Sequence, residues 1–250
     1  MLSSRTIVSC VARYVFSKHV LGARLQSTST SAEAAKTAIL RASLQHIPKL
    51  GWSVGSLKAG ARAVGLELNE DLFPGRELDL VEYFEKKCNA DLVLYMQQLR
   101  TEDEASKLKS KFVEEAIEHR LRMLIPYVEQ WPQAMALKAY PSASVPALER
   151  LALMVDDIWY WAGDRSTDFN WYTKRALLAG IYTSTELHMV QDRSNDFRET
   201  WGFLDRRMED VATFAKYRGQ MDTMFNSTCE IINSSISTLR NAAGYNLWRW

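Results

Sequence analysis

Met154-Val-Asp-Asp-Ile-Trp-Tyr-Trp-Ala-Gly-Asp-Arg-Ser-Thr-Asp-Phe-Asn-Trp-Tyr-Thr-Lys-Arg175, with the apolar run that follows to Val190, decides the fold. It reads as two helices joined by a tight corner. The first enters at Pro146, a residue favoured at the first helical position. It carries Leu148, Leu151, Val155, Ile158, Trp159 and Ala162 at helical spacing. Gly163 ends it. Ser166, Thr167 or Asp168 can cap the second helix, which runs through Ala176, Leu177, Leu178 and Ile181. Leu153, Met154 and Trp161 extend the first helix's apolar surface beyond its main stripe. A helix apolar nearly all round is central, lipid-contacting or docked on a partner.

Residues 101–215 surround this pair. A mixed charge run, Glu102 to Lys111, leads into a helix with Phe112, Ala116, Ile117, Leu121, Leu124, Ile125 and Val128 on one stripe. Pro126 kinks or ends that helix. Trp131-Pro132 opens a short helix, Pro141 to Pro146 reads as a loop, and a last helix covers about Phe197 to Ala215. The whole is an all-α bundle with an aromatic middle: Tyr127, Trp131, Trp159, Trp161, Trp171, Tyr172 and Tyr182. Such aromatics fit a packed core or the wall of an apolar ligand pocket.

Residues 33–100 form a separate segment. A helix from Ala34 to Leu50 stops at Gly51, Ser53 caps a second through Val64, and Gly65 stops that. Residues 66–73 have room for a short third helix, and a longer one follows with Leu78, Val81, Phe84, Cys88 and Leu92 as its stripe. The layout is similar to the helix-turn-helix domain of TetR-family repressors. Its chemistry departs from DNA reading: Leu66 to Asp79 holds five acids against one base, Arg76. Carboxylates facing phosphate are repelled, and few cations are present to displace counterions. Lys58 and Arg62 read as solvated helix residues.

Residues 1–32 carry Arg5, Arg13, Lys18 and Arg24, ten Ser or Thr, and no acid before Glu33. With Ile7, Val8, Val11, Val15 and Phe16 able to share a face, this is a mitochondrial presequence pattern. Residues 216–250 follow a Lys216-to-Gly219 linker. Met221, Met224, Phe225, Ile231, Ile232, Ile236 and Leu239 make one apolar stripe, and Leu247, Trp248 and Trp250 close the chain. That stripe suits a core helix or an interfacial membrane helix.

Net charge is +1 at pH 7, so no whole-protein field draws the chain to nucleic acid or anionic lipid. Cys10, Cys88 and Cys229 have no zinc or CxxC spacing. Glu115 and His119 lie one turn apart without a second pair to complete a metal site. Asp156-Asp157 has no matching base, and no glycine spacing cradles phosphate. No cofactor and no catalytic set is expected.

Several stretches together carry a family resemblance: Arg120-Leu-Arg-Met-Leu-Ile-Pro-Tyr127, Trp131-Pro132, Met154-Val-Asp-Asp157, Ala162-Gly-Asp164, Ser166-Thr-Asp-Phe-Asn-Trp-Tyr-Thr173 and Thr185-Glu-Leu187. The sequence resembles the mitochondrial ubiquinone (coenzyme Q) biosynthesis accessory family, the ninth of the Coq series. The resemblance implies a TetR-like fold without repressor function and a non-catalytic, lipid-binding role on the matrix face of the inner membrane. It implies a homodimer, isoprenoid quinone precursors and phospholipids as ligands, and the di-iron demethoxyubiquinone hydroxylase as partner. From their position on the inward stripes of three helices that should pack together, the lipid-lining residues are expected to be Leu121, Leu124, Ile125, Trp131, Met154, Leu177, Ile181 and Leu187. By the resemblance the partner-binding residues are Asp156, Ile158, Trp159, Trp171, Tyr172 and Arg175, and the stripe of residues 221–250 is the membrane contact. A ligand-responsive transcription regulator is the alternative class, and a lipid-modifying enzyme a third.

Overall fold

The computed structural model describes residues 30–102, 109–164, 169–211 and 213. Among them every regular element is helical, as the all-α reading requires. Helix α1 is Thr30–Ser43. The sequence suggested one helix to Leu50. Instead a 3-10 turn, Leu44–His46, and a single helical turn, Ile47–Leu50, intervene. Pro48 is the cause: it lacks the N–H that would bond Leu44, and its ring crowds that carbonyl.

Gly51 then turns the chain at φ +68°. A Cβ there would sit 2.5 Å from Gln133 Oε1. That close approach lets Gln133 clamp Trp52, accepting from its N–H at 2.8 Å and donating to its carbonyl at 3.0 Å. Ser53 caps α2, Val54–Ala63, through its Oγ, which accepts from the N–H of Ser56. Gly65, at φ +72°, closes α2 with Leu66 N–H bonded to Ala61 carbonyl.

Where a third helix was expected at 66–73, there is only a 3-10 turn, Glu70–Leu72, started by Asn69. Pro74 and Gly75 follow at once, so too few residues remain for a helix. Helix α3, Glu77–Glu102, follows and is 26 residues long. Helix α4 is Lys109–Arg122, and Pro126 falls in the 3-10 turn Ile125–Tyr127 beyond its end. Helix α5 is Trp131–Lys138.

Helix α6 is Pro141–Trp161, so the expected loop before Pro146 is helical. Pro141, not Pro146, occupies the helix start, and Pro146 is carried inside the second turn. At the other end Gly163, φ +79°, bonds Tyr160 carbonyl while Asp164 N–H bonds Trp159 carbonyl, a Schellman closure. Helix α7 is Phe169–Gln191. A 3-10 turn, Asn195–Phe197, leads into α8 over residues 198–211. The proposed caps Ser166, Thr167 and Asp168, the side chain of Trp171, and residues 1–29 and 214–250 lie outside the described set.

One continuous apolar cluster runs from Ile39 to Leu204. Trp52 is its hub, fully buried, with the rings of Phe84, Tyr127 and Trp131 at 5.4, 5.9 and 5.5 Å. Tilted and edge-on contacts of this kind add to what area burial contributes. The hub joins α3 and α5 to the Gly51 corner, so the amino-terminal helices share the core of the rest.

Candidate ligand cavity and helix corner

Helices α3, α4, α5, α6 and α7 enclose a cavity of about 330 Å3. Its apolar wall includes Met135, Ala147, Leu148, Leu151 and Met154. Its floor is charged. Glu85 accepts from Lys138 at 2.9 Å and from Arg150 at 2.7 Å, and Arg150 reaches Glu82 at 3.3 Å. Burial alone would raise the Glu85 carboxyl, but Lys138 and Arg150 outweigh it and hold it below its ordinary range. Arg120 donates through Nε to Asn89 Oδ1 at 3.1 Å, and Asn89 in turn donates to Arg150 carbonyl. Glu186 accepts from Trp131 Nε1 at 3.2 Å and Tyr182 hydroxyl at 3.3 Å. Burial pushes the Tyr182 hydroxyl well above its ordinary pKa, so it stays a donor.

The expected lipid-lining residues divide. Met154 lines the cavity. Leu121, Leu124 and Trp131 are fully buried in the main core instead, and Ile181 is buried there too. Ile125 and Leu177 are half-buried. Leu187 is 50% exposed, on the face of α7 away from buried Thr185 and Met189. The face that α4 turns to the cavity is that of Arg120, beside Ala116 and Leu124 on the same stripe. A charge inside an apolar stripe was the available sequence signal, and Glu85, Arg150 and Glu186 repeat it on three other helices.

The α6–α7 corner is a second construction. Arg175 bridges Asp156 at 2.6 Å and Asp164 at 3.5 Å, and Lys174 meets Asp164 at 2.7 Å. Trp159 Nε1 donates to Lys174 carbonyl and the Lys174 ammonium lies over its ring. Asp157 is pushed up by burial and by its neighbour Asp156. Tyr172 is 48% exposed, whereas Ile158 is fully buried in the core. Ile158 therefore leaves the proposed docking face: its side chain supports the corner from beneath.

Cavity and corner share α6 and α7. The Asp156–Arg175 bridge ties these two helices together. Leu148 and Thr183 line the cavity and are exposed. Each lies eight residues along its helix from the bridge, about 12 Å. Two of the exposed lining residues therefore stand on the same two helices as the corner, and Ala139 is a third, just beyond α5.

Other candidates resolve simply. His119 lies flat on Tyr95 with ring centroids 3.6 Å apart, and burial lowers its pKa despite Asp91. Cys88 is buried, which raises its thiol. Among the described residues no three His, Cys, Asp or Glu could together hold a metal ion. No described helix is long and apolar enough to cross a membrane.

A family model described as COQ9 matches residues 145–215, the α6–α7 pair and beyond. The chain is 41% identical over 221 residues to the rat ubiquinone biosynthesis protein COQ9, mitochondrial (Rattus norvegicus), covering 86% of this chain and 71% of that one. The chain belongs to the COQ9 family. The human COQ9 (Homo sapiens) is 38% identical over 86% of this chain and 70% of its own length. The Drosophila melanogaster COQ9 is 39% identical over 85% and 66%. Among solved structures, a TetR transcriptional regulator from Nitrosomonas europaea superposes with a TM-score of 0.57 at 18% identity, over 72% of this COQ9-family chain and 98% of the regulator. That likeness establishes the TetR-like fold. The turn at Glu70–Leu72 gives the described residues no helix of the length that enters a major groove at this place in the chain.

Proposed function

We propose that this COQ9-family chain is a lipid-presenting accessory factor of ubiquinone biosynthesis in the mitochondrion. It takes a prenylated quinone precursor into the α3–α7 cavity and offers it to the di-iron demethoxyubiquinone hydroxylase, which docks at the α6–α7 corner and performs the chemistry. Residues 216–250 hold the protein on the inner membrane. The relatives' names supply the pathway. The observation that supports the mechanism is that Leu148 and Thr183, exposed residues of the cavity lining, lie about 12 Å along α6 and α7 from the ion-paired corner. A partner seated on the corner would cover the opening and receive a ligand without exposing it to water. Tyr and Arg are residue types that dominate interface energy, and Tyr172 and Arg175 stand together there.

The test is a reconstitution of purified protein, hydroxylase and vesicles holding the demethoxylated quinone. Ala147→Trp, which fills the cavity, is expected to abolish stimulation of the hydroxylase while pull-down persists. Tyr172→Ala is expected to lose pull-down and stimulation together. Full stimulation by a folded Ala147→Trp variant would remove the cavity from the mechanism.

A further inference from the structure

The outward stripe of α6 carries an acid that the fold leaves without a counter-charge. Leu153, Asp156, Asp157 and Tyr160 recur at three- and four-residue spacing, so they form one strip of surface. Leu153 is 44% and Tyr160 49% exposed, and the two acids between them are half-buried. Asp156 has its cation, Arg175 at 2.6 Å. Asp157 makes no hydrogen bond or ion pair with any described residue. The arginines placed along this helix are committed elsewhere: Arg175 to Asp156 and Asp164, Arg150 to Glu82 and Glu85, and Arg100 to the Trp161 carbonyl. Burial first, and Asp156 second, push the Asp157 carboxyl above its ordinary range. A partly buried charge without a partner is unfavourable in the free protein.

We infer that the partner seated on the α6–α7 corner extends across the outward stripe of α6 and places a lysine or arginine against Asp157, with apolar side chains over Leu153 and Tyr160. The inference rests on the reading of the corner as the docking face. Tyr160 lies about one turn from Asp156 on α6, and Tyr172 about one turn from Arg175 on α7, so the bridge ties both exposed rings into one patch. Docking removes water from Asp157. A carboxylate cut off from water needs a hydrogen-bonded cation, and here the partner has to supply it. A cation flanked by apolar groups is the complement: the charge fixes register, while Leu153 and Tyr160 supply apolar area. Asp156 cannot take this part, because Arg175 already matches its charge. The two adjacent acids therefore differ in role. Asp156 holds the corner together, and Asp157 receives the partner.

Quantitative binding of the full chain to purified hydroxylase, with a thermal melt of each variant, tests this. Asp157→Asn keeps the shape and removes the charge. It is expected to raise Tm, because the unmatched charge is gone, and to weaken hydroxylase binding at least about tenfold, the worth of a hydrogen bond to a charged group. Asp157→Glu keeps the charge and should stay within about threefold of wild type, whereas Asp157→Lys should abolish binding by like-charge repulsion. A gain of stability with a loss of binding is a signature that a structural role would not give. Asp157→Asn that binds as wild type, or that lowers Tm and binding together, overturns the inference. Tyr172→Ala in the same assay separates this from the reading of the corner. If Tyr172→Ala abolishes binding while Asp157→Asn binds normally, the corner stands and the contact at Asp157 falls. If both bind as wild type, both fall. Loss with Asp157→Asn but not with Tyr172→Ala also overturns the inference, since the footprint would then leave out the corner.

Discussion

Single atoms decide several positions in this chain. Gly60 of α2 lies against α1 so closely that a Cβ would stand 2.1 Å from Ser43 Oγ, 2.7 Å from Ser43 N and 2.8 Å from Ile39 carbonyl. Two of those neighbours are backbone and cannot swing away. Gly60→Ala gains about 1 kcal/mol of helix propensity, but overpacking costs about 1–3 kcal/mol and requires α1 to shift. The expected result is a net loss of stability in denaturant unfolding, against the usual gain for Gly→Ala in a helix. Asp192 is a second such position. Burial would raise its carboxyl; the Thr200 hydroxyl at 2.6 Å and the N–H groups of Ser194 and Thr200 outweigh this and bring it to about 2. In the unfolded chain the group titrates near ~3.9. Its folded pKa is the lower, so its contribution is complete above that value and is lost as pH falls towards about 2. Asp192→Asn should cost about 2 kcal/mol at pH 7. The Tm gap between wild type and variant should narrow between pH 4 and pH 2. A gap unchanged across that window would mean the hydrogen bonds, not the charge, carry the effect.

At the scale of elements, local chemistry was readable and tertiary pairing was not. Ser53, Gly51, Gly65 and Gly163 announce their caps and turns because each acts on its own backbone. Pro141 and Pro146 look alike in sequence, and only the helix hydrogen bonds of Ala143 and Ser144 to Tyr140 carbonyl show which one starts α6. The charged floor was hidden more deeply. Glu85, Arg120, Arg150 and Glu186 come from four helices, and pattern along one helix does not reveal partners across a bundle. The same holds at the α6–α7 corner, where the exposed and bridging residues should separate by experiment. Arg175→Ala leaves buried Asp164 with Lys174 at 2.7 Å but removes its second cation and the partner of Asp156, and is expected to cost about 1–2 kcal/mol of stability. Tyr172→Ala removes an exposed ring and should change stability by under about 1 kcal/mol, yet reduce hydroxylase affinity by about 2–4 kcal/mol if it is a central anchor. Thermal melts and pull-downs on the same two variants separate these outcomes. Intact binding by Tyr172→Ala would move the docking face elsewhere.

For the whole molecule, the proposed mechanism requires three parts to act at one place. The cavity mouth and the ion-paired corner already share α6 and α7. No described helix is long and apolar enough to cross a bilayer; the proposed membrane attachment has two routes, through a partner or through an interfacial element. The stripe from Met221 to Leu239, with Trp248 and Trp250 beyond it, is the sequence feature suited to the second route. Its large apolar side chains outnumber its cations, so the hydrophobic contribution should dominate over attraction to anionic lipid. Two results follow. Truncation at Gly219 should abolish flotation with liposomes, while the cavity-dependent binding of a soluble farnesyl probe is retained. Raising salt should weaken flotation of the intact chain only slightly, because screening acts on charge and not on apolar burial. Ile232→Glu with Ile236→Glu should reproduce the truncation, since both carboxylates would have to leave water. Unchanged flotation of that double variant would place the membrane contact on the described body, and the exposed apolar residues Tyr140, Val145 and Leu148, of which Leu148 lines the cavity, would then be the surface to mutate next.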